Sequence, residues 1–565
     1  MSLFSTIQSS ANALQVNQIG LQVVGNNIAN VNTPGYIRQE LVQGAASGYR
    51  KGDLVLGMGV QALAIEQRVD NYLLERMRTT GSQLAYYDAL SAANGDVESY
   101  LNELTSSDIS SKMSDLAAAF QDVANQPGNE AFRQLLIDRG SQLASQIQTT
   151  AKNVQDASSN SALSLKVAAN DINNLADTIA KLNVRIVELE AGSNSAAVGL
   201  RDERIKALDE LSAYVNISTQ EQPSGSVSVF IGGDYLVTDG LTRPIKIVES
   251  TTPQGPKTEV RFLDNDASLN VSSGKLRAFL EGSNAASDSS FMARLDNLAM
   301  EIITTVNRIH SQGQGMIGFD MLMGESTIRQ ADAPLELSNP NFRVENGSFE
   351  IKVTNDRTKQ TQTYLIPVVQ LGTSNDTTAN QLVSQISEID GLVAEIDSDG
   401  KFIIRSEQND ISFGFANDSS GVLAALGLNT FFTGDSAITM GIRKELQADP
   451  RLLAASNNGI GNGANNAILL AEAFTKPQAS LGGKNLNEIY DSFVTATTLD
   501  AASQQSATDG LRNFYQTLES KHLGISGVNL DEEAVKMMLY QRAFQAQSRV
   551  ISVASELLET LVNII

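Results

Sequence analysis

The sequence predicts a mainly α-helical fold with β-rich inserts, in which a long helical bundle is built from the N- and C-terminal segments. Apolar residues recur every three or four positions near both ends of the chain, which is the spacing of coiled-coil-like helices. Two internal segments change instead to short alternating runs interrupted by glycine and proline, as β-strands do. Since 565 residues suffice for several domains of roughly 100–200 residues each, we expect the inserts to form outward β-rich domains.

A helix at the start of the chain is predicted by a strict 4-3 spacing of apolar positions. The N-terminal seam consists of Leu3, Ile7, Leu14, Leu21 and Val24. Polar Ser10 and Asn17 fall on the same spacing, and an isolated helix of this length is marginal in water. We therefore expect this helix to order only against a partner, which need not belong to the same chain.

A turn-forming motif is expected to end this helix. Short Asn and Thr side chains compete for backbone hydrogen bonds, and the residue before Pro34 is pushed out of the α region. Pro34 and Gly35 then suit the centre of a type II turn. The motif comprises Asn26, Asn27, Ile28, Ala29, Asn30, Asn32, Thr33, Pro34, Gly35 and Tyr36.

The rest of the chain divides into helical and β-rich parts. The predicted parts are terminal helices over residues 1–33 and 528–565, a mainly helical bundle domain over 34–213, 284–315 and 436–527 with an extended connector at 36–69, a β-rich module over 214–283 and an outer β-rich insert over 336–435. Helices from distant parts of the sequence would most simply share one bundle.

The last helix is predicted to begin after Gly527, with Asn529 as its N-cap and acidic residues in its first turn. The C-terminal seam consists of Leu539, Ala543, Ala546, Val550, Val553, Leu557 and Ile564. Chain ends usually fray unless they are tied down, so two apolar seams at the extreme termini indicate an assembly surface. Ordinary packing within one chain is the alternative.

Composition excludes several classes of function. Lys and Arg number 41 against 64 Asp and Glu, a formal charge of -23, so no nucleic-acid partner is expected. The chain has no Cys, which removes disulfides, zinc-thiolate sites and thiol nucleophiles. It lacks the 18 or more consecutive apolar residues of a membrane span, so no membrane insertion is expected. The first cationic side chain is Arg38, unlike a secretory signal peptide, which favours export without a cleaved signal.

The chain offers few groups for chemistry. Its two histidines, His310 and His522, have no metal-ligand spacing and are predicted to be surface or capping residues. Residues 397–400 resemble part of a calcium loop, but Ser406 falls where an EF-hand needs Glu, so a hairpin turn is predicted. The glycines of residues 459–463 lack the strand and Lys of a nucleotide loop and indicate a linker. We therefore predict no catalytic, metal-binding or cofactor-binding residues and no enzymatic activity.

Both ends of the chain resemble a known family. Residues 25–36, which contain the turn-forming motif, resemble the N-terminal signature of the flagellar rod, hook and hook-associated axial proteins. Residues 527–535, 539–551 and 557–561 are similar to the C-terminal signature of the same family. The two signatures occur in the family's order, whereas residues 71–200 agree with it in helical character alone.

The resemblance implies a structural subunit of the bacterial flagellum, located outside the cell and exported by the flagellar type III apparatus. The terminal helices would form an inner tube domain through self-assembly into a ring. The start of the chain and the continuation from Tyr36 to Gln39 favour a subunit of the hook-filament junction, which joins the hook to the filament and supports filament assembly. The implied partners are the hook protein on one side, the second hook-filament junction protein on the other, and a cytoplasmic export chaperone on the C-terminal helices.

Two alternatives stay open at this point. The chain could be another axial subunit, of the hook or the rod, or a secreted adhesin or hydrolase carried on an axial scaffold. An activity screen, compared with the loss or presence of filaments on deletion, would separate these classes.

Overall fold

The computed structural model describes residues 3–51, 53–101, 108–192, 195–252, 255–284, 290–335, 343–373, 375–461 and 463–564. The chain divides into two compact units. The terminal unit comprises Met1–Ala93, Ser159–Asn284 and Ala502–Ile565, and the central unit comprises Asn94–Ser158 and Ala285–Ala501. The predicted class, mainly α with β-rich inserts, is confirmed by the elements that follow. The predicted helical bundle domain is divided between the two units.

Helices make up most of the described chain. In chain order they are α1 (Leu3–Ala29), α2 (Asn71–Leu101), α3 (Ile109–Asn125), α4 (Glu130–Glu190), α5 (Val198–Tyr214), α6 (Lys275–Ser283), α7 (Phe291–His310), α8 (Ala379–Ser387), α9 (Val422–Ala425), α10 (Lys444–Ala448), α11 (Asn465–Glu472), α12 (Leu486–Ser526) and α13 (Leu530–Ile564). Asn529 caps α13 as predicted, because its side-chain oxygen accepts from the N–H of Asp531 at 3.0 Å.

The strands are short and fall into small antiparallel sheets. They are β1 (Gln39–Ala45), β2 (Tyr49–Lys51), β3 (Leu54–Leu56), β4 (Val60–Gln67), β5 (Ser218–Glu221), β6 (Val227–Ile231), β7 (Asp234–Thr238), β8 (Leu241–Thr242), β9 (Ile245–Thr252), β10 (Gly255–Phe262), β11 (Met321–Thr327), β12 (Gly347–Asn355), β13 (Thr361–Val368), β14 (Leu392–Ile396), β15 (Lys401–Ser406), β16 (Ile411–Ala416), β17 (Phe432–Thr433) and β18 (Gly441–Ile442).

Within its described residues, the terminal unit joins helices to three two-stranded β ribbons and a four-stranded sheet. Strand β1 pairs with β4, β2 with β3 and β9 with β10, while the sheet has the order β5-β6-β7-β8. Apolar side chains of α4 and α5, such as Ile172, Ile179 and Leu208, are buried in one core with Val229 and Phe262 of the β-rich part. This burial stabilises α4 and α5, because most of the stability of a helix in a protein comes from the packing of its apolar face.

The central unit contains two three-stranded sheets, with the orders β11-β15-β14 and β13-β12-β16. Their phenylalanines, among them Phe349, Phe413 and Phe415, share one core with the apolar faces of α3 and α7. Strand β11 precedes residue 336, at which the outer insert was predicted to begin, and pairs with β15 inside that insert. The predicted turn at residues 397–400 joins β14 to β15, and the Asp397 carboxylate accepts from the N–H of Lys401 at 2.8 Å.

The prediction for His310 was wrong. This side chain is fully buried in the central unit rather than at the surface or at a cap. Its Nδ1–H donates to the carbonyl of Asn429 at 2.8 Å, and its Nε2 accepts from the N–H of Ala454 at 3.1 Å. Because both ring nitrogens are satisfied by the backbone, a neutral imidazole is tolerated in the core. His522 is half-buried on α12.

Candidate assembly interface

The two terminal helices pack against each other within one chain. Helix α1 contacts α13 along its length and also contacts β1 and β4. At Gly20 the backbone of α1 lies close against the Tyr540 side chain, since a Cβ atom there would lie 2.6 Å from ring carbons of Tyr540. The partner that the sequence required for α1 is therefore present in the same polypeptide.

A buried amide at Asn27 connects the end of α1 to two other segments. Its Nδ2 donates to the carbonyl of Gln39 at 2.9 Å and to Oε2 of Glu533 at 3.0 Å. Its Oδ1 accepts from the Tyr36 hydroxyl at 2.9 Å and from the N–H of Gln39 at 3.0 Å. All the hydrogen-bonding capacity of this amide is used, which fixes α1 to the start of β1 and to the first turn of α13.

Arg38 forms the ionic part of the same contact. Its Nε donates to Oε1 of Glu533 at 2.9 Å, and one terminal nitrogen lies 2.8 Å from Oε2 of Glu532. The Arg38 and Glu533 side chains are buried, whereas the Glu532 side chain is 58% exposed. Burial alone would lower the pKa of Arg38, but the two carboxylates hold it above its ordinary value. The Arg38 N–H also donates to the carbonyl of Ser526, the last residue of α12, at 2.9 Å.

Asp202 of helix α5 lies next to this network. Burial, together with the charges of Asp202 and Glu533, raises the pKa of Tyr36 to about 12, so its hydroxyl stays protonated and donates. Burial also raises the pKa of Asp202 to about 6, against the effect of its hydrogen bonds from Gln67 and the N–H of Ile37. The Gln67 bond is 2.5 Å long. We call the group formed by Arg38, Glu532, Glu533, Asn27 and Tyr36 the terminal latch. Asp202 and Gln67 are neighbours of this group.

The remaining motif residues build the turn rather than the latch. The N–H of Tyr36 donates to the carbonyl of Thr33 at 3.2 Å, and Gly35 has φ +80°, as the third position of a type II turn requires. The Thr33 hydroxyl donates to the side chain of Asn30 at 3.2 Å. Of the ten motif residues, the structure brings Asn27 and Tyr36 into the latch, while the side chains of the others, Asn26, Ile28, Ala29, Asn30, Asn32, Thr33, Pro34 and Gly35, take no part in its hydrogen bonds.

The two predicted seams differ in exposure. Of the N-terminal seam, Val24 is buried, and Leu3, Ile7, Leu14 and Leu21 are partly buried. Of the C-terminal seam, Leu539 is 61%, Val553 56% and Leu557 51% exposed. Val550 and Ala546 are also exposed and Ala543 is partly buried, while the Ile564 side chain lies outside the described residues.

A different face of α13 is turned inward. Glu533 and Ala554 are buried on this face, and Tyr540 and Ile551 are partly buried. The predicted seam lies beside this face and remains open to solvent. Near the free ends of the helices, Leu3 and Thr6 of α1 and Val550, Val553 and Leu557 of α13 line a shallow apolar groove of about 330 Å³.

Sequence reasoning missed the latch partners as a site. In the sequence Arg38 is the first charged residue, and Glu532 and Glu533 are acidic residues in the first turn of the last helix. Arg38 and Glu533 are 495 residues apart, so no local spacing pattern connects them. The sequence does contain one indication of this ion pair. Arg38, the first charged residue of the chain, lies just after one signature motif, and Glu532 and Glu533 lie within the other. Among the described residues, His, Asp and Glu form no group of three or more suited to a metal ion, and no helix is long and apolar enough to cross a membrane.

The paired terminal helices and all latch residues except Arg38 lie in regions that match known families. Residues 7–36 match the model described as flagella basal body rod protein, and residues 519–564 match the flagellar basal body rod FlgEFG protein C-terminal model. Residues 95–322 match the model described as flagellar hook-associated protein FlgK helical domain. The chain belongs to the family of flagellar rod, hook and hook-associated axial proteins.

Within this family the chain is similar to flagellar hook-associated protein 1. It is 23% identical to that protein of Salmonella typhimurium, over 99% of this chain and 100% of the relative. It is 26% identical to that of Bacillus subtilis, over 58% of this chain and 72% of the relative. A solved structure of the flagellar hook junction protein FlgK from Burkholderia pseudomallei covers 79% of this chain and 99% of its own, with 14% identity and a TM-score of 0.48.

Proposed function

We propose that this protein is a structural subunit of the hook-filament junction, which joins the flagellar hook to the filament and supports filament assembly. The observation that supports this most directly is the pair of latched terminal helices with an apolar stripe left open on α13. Exposed contiguous apolar surface of this kind marks a contact with another molecule. Relatives aligned over their full length are named for the hook.

The mechanism is assembly rather than catalysis. Copies stack into a ring through their terminal helices, and burial of the open stripe in each copy stabilises the ring. The hook protein binds on one side and the second junction protein on the other. Before export, which uses no cleaved signal, a cytoplasmic chaperone covers the C-terminal helices and keeps the apolar stripe from aggregating.

The proposal is tested by deleting the gene and restoring it. Cells without the protein should make hooks that carry no filament, and filament subunits should appear in the medium, because the surface on which the filament grows is absent. Complementation with the intact gene should restore attached filaments, and labelled protein should appear only between hook and filament in electron micrographs. Attached filaments in the deletion strain, or label along the whole hook, would contradict the proposal.

A further inference from the structure

Asparagine is followed directly by glycine at residues 94–95, 346–347, 458–459 and 462–463. The amide carbon of an asparagine side chain can be attacked by the backbone nitrogen of the next residue, and glycine hinders this attack least because it has no Cβ atom. The attack also needs a side chain open to solvent and a backbone N–H that makes no hydrogen bond, because a bonded N–H gives up its proton slowly. The fold therefore decides which of these pairs reacts.

Two of the pairs are held in regular secondary structure. Gly95 lies inside α2, where each N–H donates to the carbonyl four residues earlier. Gly347 is the first residue of β12 and pairs with Val368, and the side-chain oxygen of Asn346 accepts from the N–H of Gln370 at 3.3 Å. Both pairs can react only after local opening of the helix or the sheet.

The pair at Asn458 and Gly459 lies instead in the loop before α11. The Asn458 side chain is exposed, while the backbone N–H of this residue donates to the Ser456 hydroxyl at 3.2 Å. A Cβ atom at Gly459 would meet no atom within 4 Å. Within the described ranges, neither the Asn458 side chain nor the Gly459 N–H makes a hydrogen bond. This pair is therefore open to reaction in the folded chain. The remaining pair contains Asn462, which lies outside the described residues.

The same loop is fixed on both sides of the open pair. Ser456 exchanges two backbone hydrogen bonds with Gln314, at 2.5 and 3.1 Å, and the N–H of Gly461 donates to the carbonyl of Gly315 at 3.1 Å. A longer backbone at Asn458, between these contacts, would displace one of them.

We propose that Asn458 is a site of spontaneous deamidation, at which the folded protein gains aspartate and isoaspartate. The Gly459 nitrogen loses its proton and bonds to the side-chain amide carbon of Asn458. The bond from that carbon to the amide nitrogen breaks, and the nitrogen leaves with the proton as ammonia. Water then opens the resulting succinimide ring at one of its two carbonyl carbons, which gives aspartate or isoaspartate. Both products add a negative charge, and isoaspartate also lengthens the backbone.

Site-resolved mass spectrometry of the full chain tests the proposal. Folded protein is kept in mildly alkaline buffer and digested at acidic pH, and fragment ions give the conversion at each asparagine. Conversion at Asn458 should be about tenfold or more faster than at Asn94 and Asn346, because these two react only through local opening. In urea the three rates should differ by no more than about threefold, since no structure then protects any pair. Equal rates at the three positions in the folded protein would overturn the proposal.

Two variants identify the reaction and its effect on the loop. Asn458→Gln should show almost no conversion at this position, because the longer side chain closes a larger and less favourable ring. The same gain of isoaspartate in Asn458→Gln, measured with an isoaspartyl methyltransferase, would overturn the proposal. Asn458→Asp carries the new charge on a backbone of normal length, so its Gly461 N–H should exchange as in the wild type. In aged protein that contains isoaspartate, this N–H should exchange severalfold faster, and unchanged exchange would overturn the predicted displacement of the loop.

Discussion

Arg38 and Glu533 form a buried ion pair between the first and the last parts of the chain. A buried pair contributes little net stability compared with apolar residues, but removing one partner leaves an uncompensated charge in the interior. Glu532 cannot substitute for Glu533, because its side chain is 58% exposed and an exposed pair is weak. The latch therefore depends on one carboxylate.

Glu533→Gln and Glu532→Gln make a matched pair that tests this dependence. Glu533→Gln should reduce the stability of the α1 and α13 contact by about 3–5 kcal/mol, since one amide oxygen cannot replace two carboxylate oxygens. Glu532→Gln should cost about 1 kcal/mol or less. Hydrogen exchange of α1 amides measures both, and equal effects would show that Arg38 is held by its exposed partner.

His310 predicts how the central unit responds to acid. Burial lowers the pKa of His310 to about 4, with Arg443 and Arg133 acting in the same direction against the hydrogen bond to Asn429. In the unfolded chain His310 has a pKa near 6.5. Between pH 6.5 and 4 it therefore binds a proton in the unfolded chain but not in the folded chain. Stability is therefore full above pH 6.5 and falls as the pH drops towards 4, by about 3 kcal/mol in total.

Hydrogen exchange in the central unit between pH 7 and 4 checks this expectation, with His310→Gln as the control. At neutral pH the central unit of the His310→Gln variant should be less stable than that of the wild type. Its stability should, however, lack the fall between pH 6.5 and 4 that the histidine causes. Exchange in the two units must be followed separately, because burial raises the pKa of Asp202 in the terminal unit to about 6. The stability that this group contributes to the terminal unit is present at low pH and is lost as the pH rises through that pKa. An unchanged acid slope in His310→Gln would rule out the histidine as its source.

The sequence located the latch residues only in part. The turn around Pro34 and Gly35 follows from local backbone chemistry, so it was predictable from the motif. The burial of Asn27 depends on Glu533, 506 residues away, and no local pattern contains that information. His310 was misplaced for the same reason, since the carbonyl and N–H groups that satisfy its ring come from distant loops.

Close packing of α1 on α13 is tested by two glycines of the same helix. Gly20→Ala would place a Cβ 2.6 Å from the Tyr540 ring, so overpacking of about 1–3 kcal/mol should outweigh the helix-propensity gain of about 0.5–1 kcal/mol. Gly25→Ala meets no atom within 4 Å and should keep that gain. The two variants should shift α1 hydrogen exchange in opposite directions, and stabilisation by both would mean that the Tyr540 ring moves aside freely.

The open stripe of α13 is tested by charges at two neighbouring positions. Val553 is exposed in the single chain, so Val553→Asp should leave folding unchanged, yet it should abolish incorporation because an unpaired carboxylate would be buried between copies. Ser555→Asp lies about 200° round the helix from Val553 and should be nearly silent. Secretion and filament attachment are measured for both, and equal attachment would show that Val553 is not at the contact.

Apolar spacing predicted the existence of both terminal helices but not which face each uses. The 4-3 spacing on α13 identifies the exposed stripe through Val553. Ala554, the next residue, and Tyr540, earlier in the helix, lie instead on the face turned inward. Two adjacent apolar faces give overlapping periodicities, and a single sequence does not show which one is occupied within the chain. Exposure in the folded chain distinguishes them.

At the scale of the whole molecule, α1 and α13 can pack against each other only when nearly the entire chain is present, because they lie at its two ends. The contact between α1 and α13 joins segments about as far apart in sequence as the chain allows, so closing it carries the entropy cost of a very long loop. The β-rich part of the terminal unit, in contrast, pairs strands that are close in sequence, such as β5 with β6. The sheet should therefore fold without α13, and α1 should not.

A chain ending at residue 527 tests this order. Its α1 retains β1 and β4 but loses α13 and Glu533, and a lone helix of this length without charged pairs is marginal in water. We expect α1 amides to exchange almost as fast as in an unfolded peptide, while amides of β5, β6 and β7 keep the protection of the intact protein. Adding a peptide of residues 528–565 should restore α1 protection in proportion to its occupancy, and a Glu533→Gln peptide should restore it only at higher concentration. Full protection of α1 in the truncated chain would show that β1 and β4 alone hold this helix, and that the latch does not control how the ends of the molecule come together.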